Sequence, residues 1–167
     1  STPVEGGVTD ELRALMDDML ETMYDAPGIG LAAPQIGLAK RMLVVDCAGR
    51  GETPQPMKII NPEIIAASDD LASYEEGCLS IPGVAATIQR PARILLRWRG
   101  LDCAVHEADL DGAEARVALH EYDHLDGVLY PMRMEDMSTF GFVSELGPAS
   151  FPTFPFDPED FVDPEIS

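Results

Sequence analysis

Apolar residues recur at helical spacing near the start of the chain. Leucine and methionine form one stripe within residues 9–25, at Leu12, Leu15, Met16, Met19, Leu20 and Met23. Residues three or four apart share one face of an α-helix. Thr9 can cap the start of this helix, and Pro27 followed by Gly28 ends it. The pattern therefore predicts an amphipathic N-terminal helix whose apolar face belongs to the core.

A block of short apolar and β-branched segments follows this helix. The segments predicted as strands are residues 41–46, 57–60, 63–67, 84–89, 92–99 and 102–108. Proline-containing pairs interrupt the block at Asn61-Pro62 and at Arg90-Pro91, and a turn is predicted around Gly100. Strands joined by such short connections favour antiparallel pairing.

A second helical pattern covers residues 113–125 and ends at Gly127, which can take the left-handed conformation that closes a helix. One face of this helix carries Val117, His120, Glu121 and His124, while another face is apolar. A helix of this kind must be largely buried. The order of a helix, a block of strands and a central helix indicates an α+β fold, with antiparallel sheets packed around that helix.

The charge of the chain restricts its partners and its location. The formal net charge is −19, so the surface repels the phosphates of DNA and anionic membranes. No run of about 18 apolar residues predicts a membrane span, and no secretory signal is present. Three cysteines cannot all pair, which indicates a reducing compartment. The expected location is the cytoplasm or an organelle matrix.

His120, Glu121 and His124 form an H-E-x-x-H pattern on the central helix. Histidines four residues apart lie one above the other, so both imidazoles can reach one metal ion. A carboxylate beside them can take a proton from water and return it. Catalytic metal sites usually have three protein ligands. The candidates for the third ligand are Cys47, Cys78, Cys103, His106 or a carboxylate, and the turn-like setting of Cys78 after Gly77 favours Cys78.

Three segments together resemble the signature motifs of the peptide deformylases. They are residues 28–35 (GIGLAAPQ), 76–80 (EGCLS) and 120–127 (HEYDHLDG), in the order of that family and at similar separations. The resemblance extends over roughly residues 10–140. We therefore expect a deformylase-like catalytic domain in residues 1–140, followed by an acidic arm or tail in residues 141–167 that is rich in proline and phenylalanine.

The resemblance implies an enzyme that removes the formyl group from formyl-methionine at the N-terminus of newly made proteins. It implies one divalent metal ion, with Fe(II) favoured and Ni, Co or Zn as alternatives. The metal ligands would be Cys78, His120 and His124.

The other implied roles concern the reaction and the peptide. Glu121 would act as the general base and then as the acid. The Gln35 side-chain amide and the Leu79 backbone N–H would hold the oxyanion. Gly30 and Gly77 would lie beside the bound peptide. The methionine pocket is predicted from Ile29, Tyr74 and Val117.

Three features depart from the usual pattern of the family. Leu119 stands where glutamine is common, and a change there can alter packing or a hydrogen bond behind the ligands. The chain starts almost at the first helix, where the family usually has a further segment of about twenty residues. The C-terminal end is acidic, which argues against docking to ribosomal RNA through a basic tail.

Two other functions fit parts of the sequence. An H-E-x-x-H metallopeptidase would cut peptide bonds and usually takes a third histidine or glutamate ligand, but residues 76–80 argue against it. A relative without turnover that binds metal or peptide would fit Leu119 and the short N-terminus. The intact set of ligands, base and oxyanion donors argues against that alternative.

Overall fold

The computed structural model describes residues 1–49 and 51–146. Its helices and strands are α1 Asp10–Asp25, β1 Gly30–Ala32, β2 Met42–Val45, β3 Met57–Ala67, β4 Leu71–Cys78, β5 Ile81–Pro91, β6 Arg93–Arg99, β7 Val105–Asp111, α2 Gly112–Leu125, β8 Gly141–Phe142 and α3 Val143–Leu146. None of the helices in these residues combines the length and apolarity needed to span a membrane.

The strands form two antiparallel sheets. The larger sheet has the order β1-β2-β3-β6-β7, and the smaller has the order β4-β5-β8. The α+β prediction, with antiparallel sheets around a central helix, is confirmed. Both helix predictions also hold closely, since α1 starts after Thr9, whose side chain accepts a hydrogen bond from the Leu12 backbone N–H, and Gly127 has φ 74.

The larger sheet lies between the two long helices. Alternate residues of a strand point to opposite faces of its sheet. In β2, Met42 and Val44 pack with the buried methionines of α1, whereas Leu43 and Val45 pack with the apolar side of α2. All four residues of β2 are therefore buried. This arrangement buries α2 deeply and fixes the depth at which its histidines lie.

Several strands differ from the sequence prediction, and β3 and β4 differ most. β3 continues through the Asn61-Pro62 pair, with irregular pairing to β6 at that point. Asn61 has φ 51, and its side chain makes two hydrogen bonds to the backbone of Val4. Asparagine tolerates this left-handed conformation, so the pair bends the strand without ending it. The sequence predicts a turn-like setting around Cys78 and no strand over residues 71–78, but seven residues of β4 pair with β5.

The end of the described chain also contributes to the fold. Residues 141–146, which were predicted to belong to the C-terminal arm, form β8 and the short helix α3. β8 pairs with Val84 and Ala85 of β5. The remainder of the predicted arm, residues 147–167, lies outside the described residues.

Candidate active site

Cys78, His120 and His124 converge between β4 and α2. Cys78 is the last residue of β4, and the two histidines occupy successive turns of α2. Their ligand atoms all lie within 4.8 Å of one another, and Cys78 Sγ lies 3.3 Å from His124 Nε2. One thiolate and two imidazoles at this spacing can share one divalent metal ion.

The surroundings of these residues fit a bound cation. Glu76 Oε2 accepts a hydrogen bond from His120 Nδ1 at 2.9 Å, which leaves Nε2 of this ring for the metal. Burial disfavours a charged His120, but hydrogen bonds to Cys78 and Glu76 raise its pKa to about 10. Burial also disfavours a thiolate, yet the two histidines lower the pKa of Cys78 to about 5. The Cys78 thiolate and the Glu76 carboxylate thus favour a positive charge at this place, which a bound metal ion would supply.

Glu121 lies beside the ligands and faces Gly30 of β1. Glu121 is only 4% exposed, and its Oε2 has no hydrogen-bond partner among the described residues. Burial raises the pKa of Glu121 to about 7. A Cβ atom placed on Gly30 would lie 2.4 Å from Glu121 Oε1. The Glu121 carboxylate therefore fits at this position because Gly30 has no side chain.

The side chain of Gln35 is held in one orientation. Its Oε1 accepts a hydrogen bond from the Ala32 backbone N–H at 2.8 Å. Its Nε2 therefore points the other way, where it donates to Ser80 Oγ at 3.1 Å and lies 3.9 Å from Cys78 Sγ. The amide thus presents a donor toward the cluster of Cys78, His120 and His124.

A buried network of charged side chains holds Glu76, the residue that accepts the hydrogen bond from His120. Glu76 accepts hydrogen bonds from Arg90 at 2.6 and 2.8 Å, and from Arg116 at 2.7 Å. Arg90 also donates to Asp123 at 2.8 Å. Sequence reasoning missed this network. The available signal was the spacing of Glu76 and Cys78, because residues two apart on a strand share a face.

A cavity of about 650 Å³ opens beside the cluster. It is lined by Gln35, Glu121, His120 and Leu79, and by four of the predicted substrate residues, Ile29, Gly30, Gly77 and Val117. Tyr74, the fifth, is not among the lining residues. Its ring packs 4.8 Å from the guanidinium of Arg116, which does line the cavity.

Leu119 packs away from the ligands. Its side chain belongs to the core cluster that joins α2 to the larger sheet, together with Leu43 and Ile59. The leucine therefore contributes apolar packing. His120 donates its Nδ1 hydrogen bond to Glu76, not to residue 119.

Comparisons with known proteins agree on one family. The family described as Polypeptide deformylase matches residues 1–140. A peptide deformylase of Phenylobacterium zucineum is 58% identical over 130 residues, which cover 78% of this chain and 76% of the relative. A peptide deformylase of Caulobacter vibrioides is 54% identical over 130 residues, with 78% and 75% covered.

Solved structures show the same similarity. A peptide deformylase of Synechococcus elongatus in complex with actinonin matches with a TM-score of 0.79 and 40% identity, covering 83% of this chain and 75% of that one. A probable peptide deformylase of Synechococcus phage S-SSM7 matches with a TM-score of 0.75 and 37% identity, covering 80% and 90%.

Proposed function

We propose that this chain, which belongs to the peptide deformylase family, acts on nascent proteins through the cluster of Cys78, His120, His124 and Glu121. It is a metal-dependent hydrolase that removes the formyl group from the N-terminal formyl-methionine. The observation that carries the assignment of residues is the convergence of three ligand atoms within 4.8 Å, with a buried carboxylate beside them.

Cys78, His120 and His124 would hold one divalent ion, and we propose Fe(II), with Ni, Co or Zn as substitutes. A thiolate with two imidazoles suits several of these metals. When bound, the metal lowers the pKa of water and polarises the formyl carbonyl. Glu76 keeps His120 in the orientation and tautomer that binding requires.

Glu121 moves the proton in the proposed reaction. Its carboxylate takes a proton from the water whose oxygen attacks the formyl carbon. It then returns that proton to the nitrogen of the methionine as the C–N bond breaks. The free N-terminal amine and formic acid leave, and the acid ionises to formate by releasing the second proton of the water. The buried position of Glu121 beside Gly30 keeps bulk water from competing for this proton.

Gln35 and Leu79 would bind the oxyanion that forms during this attack. Gln35 is preoriented by its hydrogen bond from Ala32, so its Nε2 needs no rearrangement. Leu79 follows Cys78 directly, and its backbone N–H would be the second donor. Both residues line the cavity.

The formylated methionine would enter the cavity beside β1. We propose that Ile29 and Val117 line the pocket for its side chain, while Gly30 and Gly77 let the peptide backbone approach. Tyr74 would act indirectly, by packing under Arg116. The peptide would bind in an extended conformation.

The substrate also indicates the compartment in which the protein acts. Formylated N-termini emerge from ribosomes in the bacterial cytoplasm or in an organelle matrix, so we propose that the protein works close to the ribosome there. The net charge of −19 would repel ribosomal RNA, so we do not expect the protein to dock by electrostatic attraction to it.

Deformylation of a formyl-Met-Ala-Ser peptide tests the proposed function. The protein is purified without oxygen, loaded with Fe(II) or Ni(II), and assayed for metal content in the same sample. We expect turnover with about one metal per chain, and none after removal of the metal. One bound metal without turnover would contradict the proposal.

Replacement of Gln35 by alanine should slow the reaction without loss of metal. We expect kcat to fall about 100-fold, because one donor to the oxyanion is removed. Gln89→Ala is the matched control, since Gln89 is an exposed glutamine of β5. The measurement is kcat together with metal content. Loss of metal from Gln35→Ala alone would make Gln35 a structural residue.

A methyl group on Gly30 should displace the Glu121 carboxylate. The added Cβ would lie 2.4 Å from Oε1, and we expect kcat/KM of Gly30→Ala to fall about 100-fold, since small displacements of a reacting group have effects of this size. Gly7→Ala is the control, because nothing lies within 4 Å of a Cβ there. Unchanged kcat/KM in Gly30→Ala would show that the position of this carboxylate does not matter.

A further inference from the structure

Tyr130 is the largest of the fully buried side chains in the described chain, with 1% of its surface exposed. It lies outside the three sequence motifs, at the start of the 3-10 helical turn Tyr130–Arg133 that follows α2. It forms a small core cluster with Ala86 and Ile88 of β5, and the proposed ligand Cys78 packs against the same cluster. Tyr130 therefore belongs to the apolar surroundings of the proposed metal site.

The ring of Tyr130 stacks on the imidazole of His120. The two ring centroids are 6.2 Å apart and the planes are 23° from parallel, which is the geometry of an offset-stacked pair. The His124 ring contacts the same imidazole at 76°, with centroids 5.0 Å apart. Glu76 accepts the hydrogen bond from Nδ1 of His120. Tyr130 is thus the neighbour whose ring lies nearly parallel to that of His120.

Two contacts fix the place of the Tyr130 ring. Its hydroxyl donates a hydrogen bond to the Val84 carbonyl oxygen of β5 at 3.2 Å. Three residues further along, Arg133 donates hydrogen bonds to both carboxylate oxygens of Asp123. Asp123 follows His120 by three residues on α2, so the two lie on neighbouring turns of one face. The turn that carries Tyr130 is therefore tied to the helix that carries the proposed ligand.

An imidazole that binds a metal ion must point one of its nitrogens at the ion. The hydrogen bond to Glu76 leaves Nε2 of His120 free for this purpose. The χ2 torsion of histidine has broad preferences, so one hydrogen bond still allows the ring to tilt. A parallel aromatic ring in contact with the imidazole restricts that tilt. Groups behind a metal ligand that fix its orientation raise metal affinity.

We propose that Tyr130 is a positioning residue of the metal site, whose aromatic ring holds the plane of the His120 imidazole so that Nε2 faces the ion. This role rests on the proposed function, because it takes Cys78, His120 and His124 as the ligands. In the described part of the chain, Tyr130 is not among the residues that line the cavity. It therefore acts on the substrate only through His120.

Two substitutions separate the ring from the hydroxyl. Tyr130→Phe keeps the ring, and Tyr130→Leu replaces it with another apolar side chain. Ni(II) affinity is measured by competition with a chelating dye, and the absorption spectrum of the Co(II)-loaded protein reports the geometry of the ligands. We expect Tyr130→Leu to bind Ni(II) about 10-fold more weakly and to shift the Co(II) bands, as loss of a group behind a ligand does. Tyr130→Phe should stay within about twofold of the native Kd and keep the native spectrum.

Turnover of formyl-Met-Ala-Ser at saturating Ni(II) separates positioning from peptide binding. We expect kcat of Tyr130→Leu to fall about 10-fold, because His120 is no longer held in one plane. KM should stay within about twofold of the native value, because Tyr130 does not line the cavity in the described chain. A raised KM with native kcat would show that Tyr130 acts on peptide binding and would overturn the proposal.

Ile88→Ala is the matched control for lost packing. Ile88 is fully buried in the same cluster as Tyr130, so the substitution leaves a cavity there and keeps the aromatic ring. The urea midpoint of this variant should fall, while its Kd for Ni(II) and its Co(II) spectrum stay native. If Tyr130→Leu does not fold, Tyr130→Met takes its place with the same expected results, because methionine adapts to irregular gaps.

Three results would overturn the positioning role. They are native Ni(II) affinity in Tyr130→Leu, an equal loss of affinity in Tyr130→Phe, and an equal loss of affinity in Ile88→Ala. If the Ni(II) affinities follow the expected order but no variant and no native protein hydrolyses the formylated peptide, the positioning role stands and the proposed function fails.

Discussion

Glu121→Gln should bind metal as the native protein does and lose nearly all turnover. The ligand atoms belong to Cys78, His120 and His124, and glutamine preserves the shape of the side chain. The amide cannot take a proton from water, and a positioned general base contributes about 10²- to 10⁴-fold. We expect kcat to fall by about 10³-fold or more. The measurements are single-turnover deformylation and metal content of the same sample.

The same variant should remain fully folded. Glu121 is buried, and in the described part of the chain its Oε2 has no partner. A neutral amide is easier to bury than a carboxylate, so the urea midpoint should not fall. Glu114→Gln is the control, because Glu114 is an exposed glutamate at the start of the same helix. Native kcat in Glu121→Gln would remove this residue from the proton transfer.

The elements with strong local signals were predicted well from the sequence. α1 was recognised by its leucine and methionine stripe and by the Thr9 cap, and both depend on neighbouring residues only. The end of α2 was recognised in the same way, from Gly127. β4 was missed as a strand because its sequence ends in Gly-Cys. Its strand character depends on pairing with β5.

In the candidate site, too, relations within one element were predicted from the sequence, and contacts between elements were not. The relation of His120 to His124 follows from helical spacing alone. Cys78 remained one of several candidates until its motif was compared with a family, since the fold brings it 3.3 Å from a residue 46 positions away. The network of Glu76, Arg90 and Arg116 was not predicted for the same reason, because its members lie on different elements.

Arg90→Met should destabilise the protein strongly. The guanidinium is only 3% exposed and lies between Glu76 and Asp123, two buried carboxylates. Methionine fills similar space but leaves both charges with fewer partners. Removing one partner of a buried ion pair typically costs about 3–5 kcal/mol, a large part of the about 5–15 kcal/mol that stabilises most proteins. The measurement is the free energy of unfolding in urea.

Arg93→Met separates the effect of the buried network from that of losing an arginine. Arg93 lies three residues further along, and its side chain is 61% exposed and pairs with Asp109, so its variant should unfold at the native urea concentration. Both variants are measured with saturating Ni(II) and with a chelator. Arg90 neutralises carboxylates that are buried with or without metal. Arg90→Met should therefore lower the free energy of unfolding in both conditions. A loss of unfolding free energy seen only with Ni(II) would mean instead that Arg90 acts through Glu76 on His120 and on metal affinity.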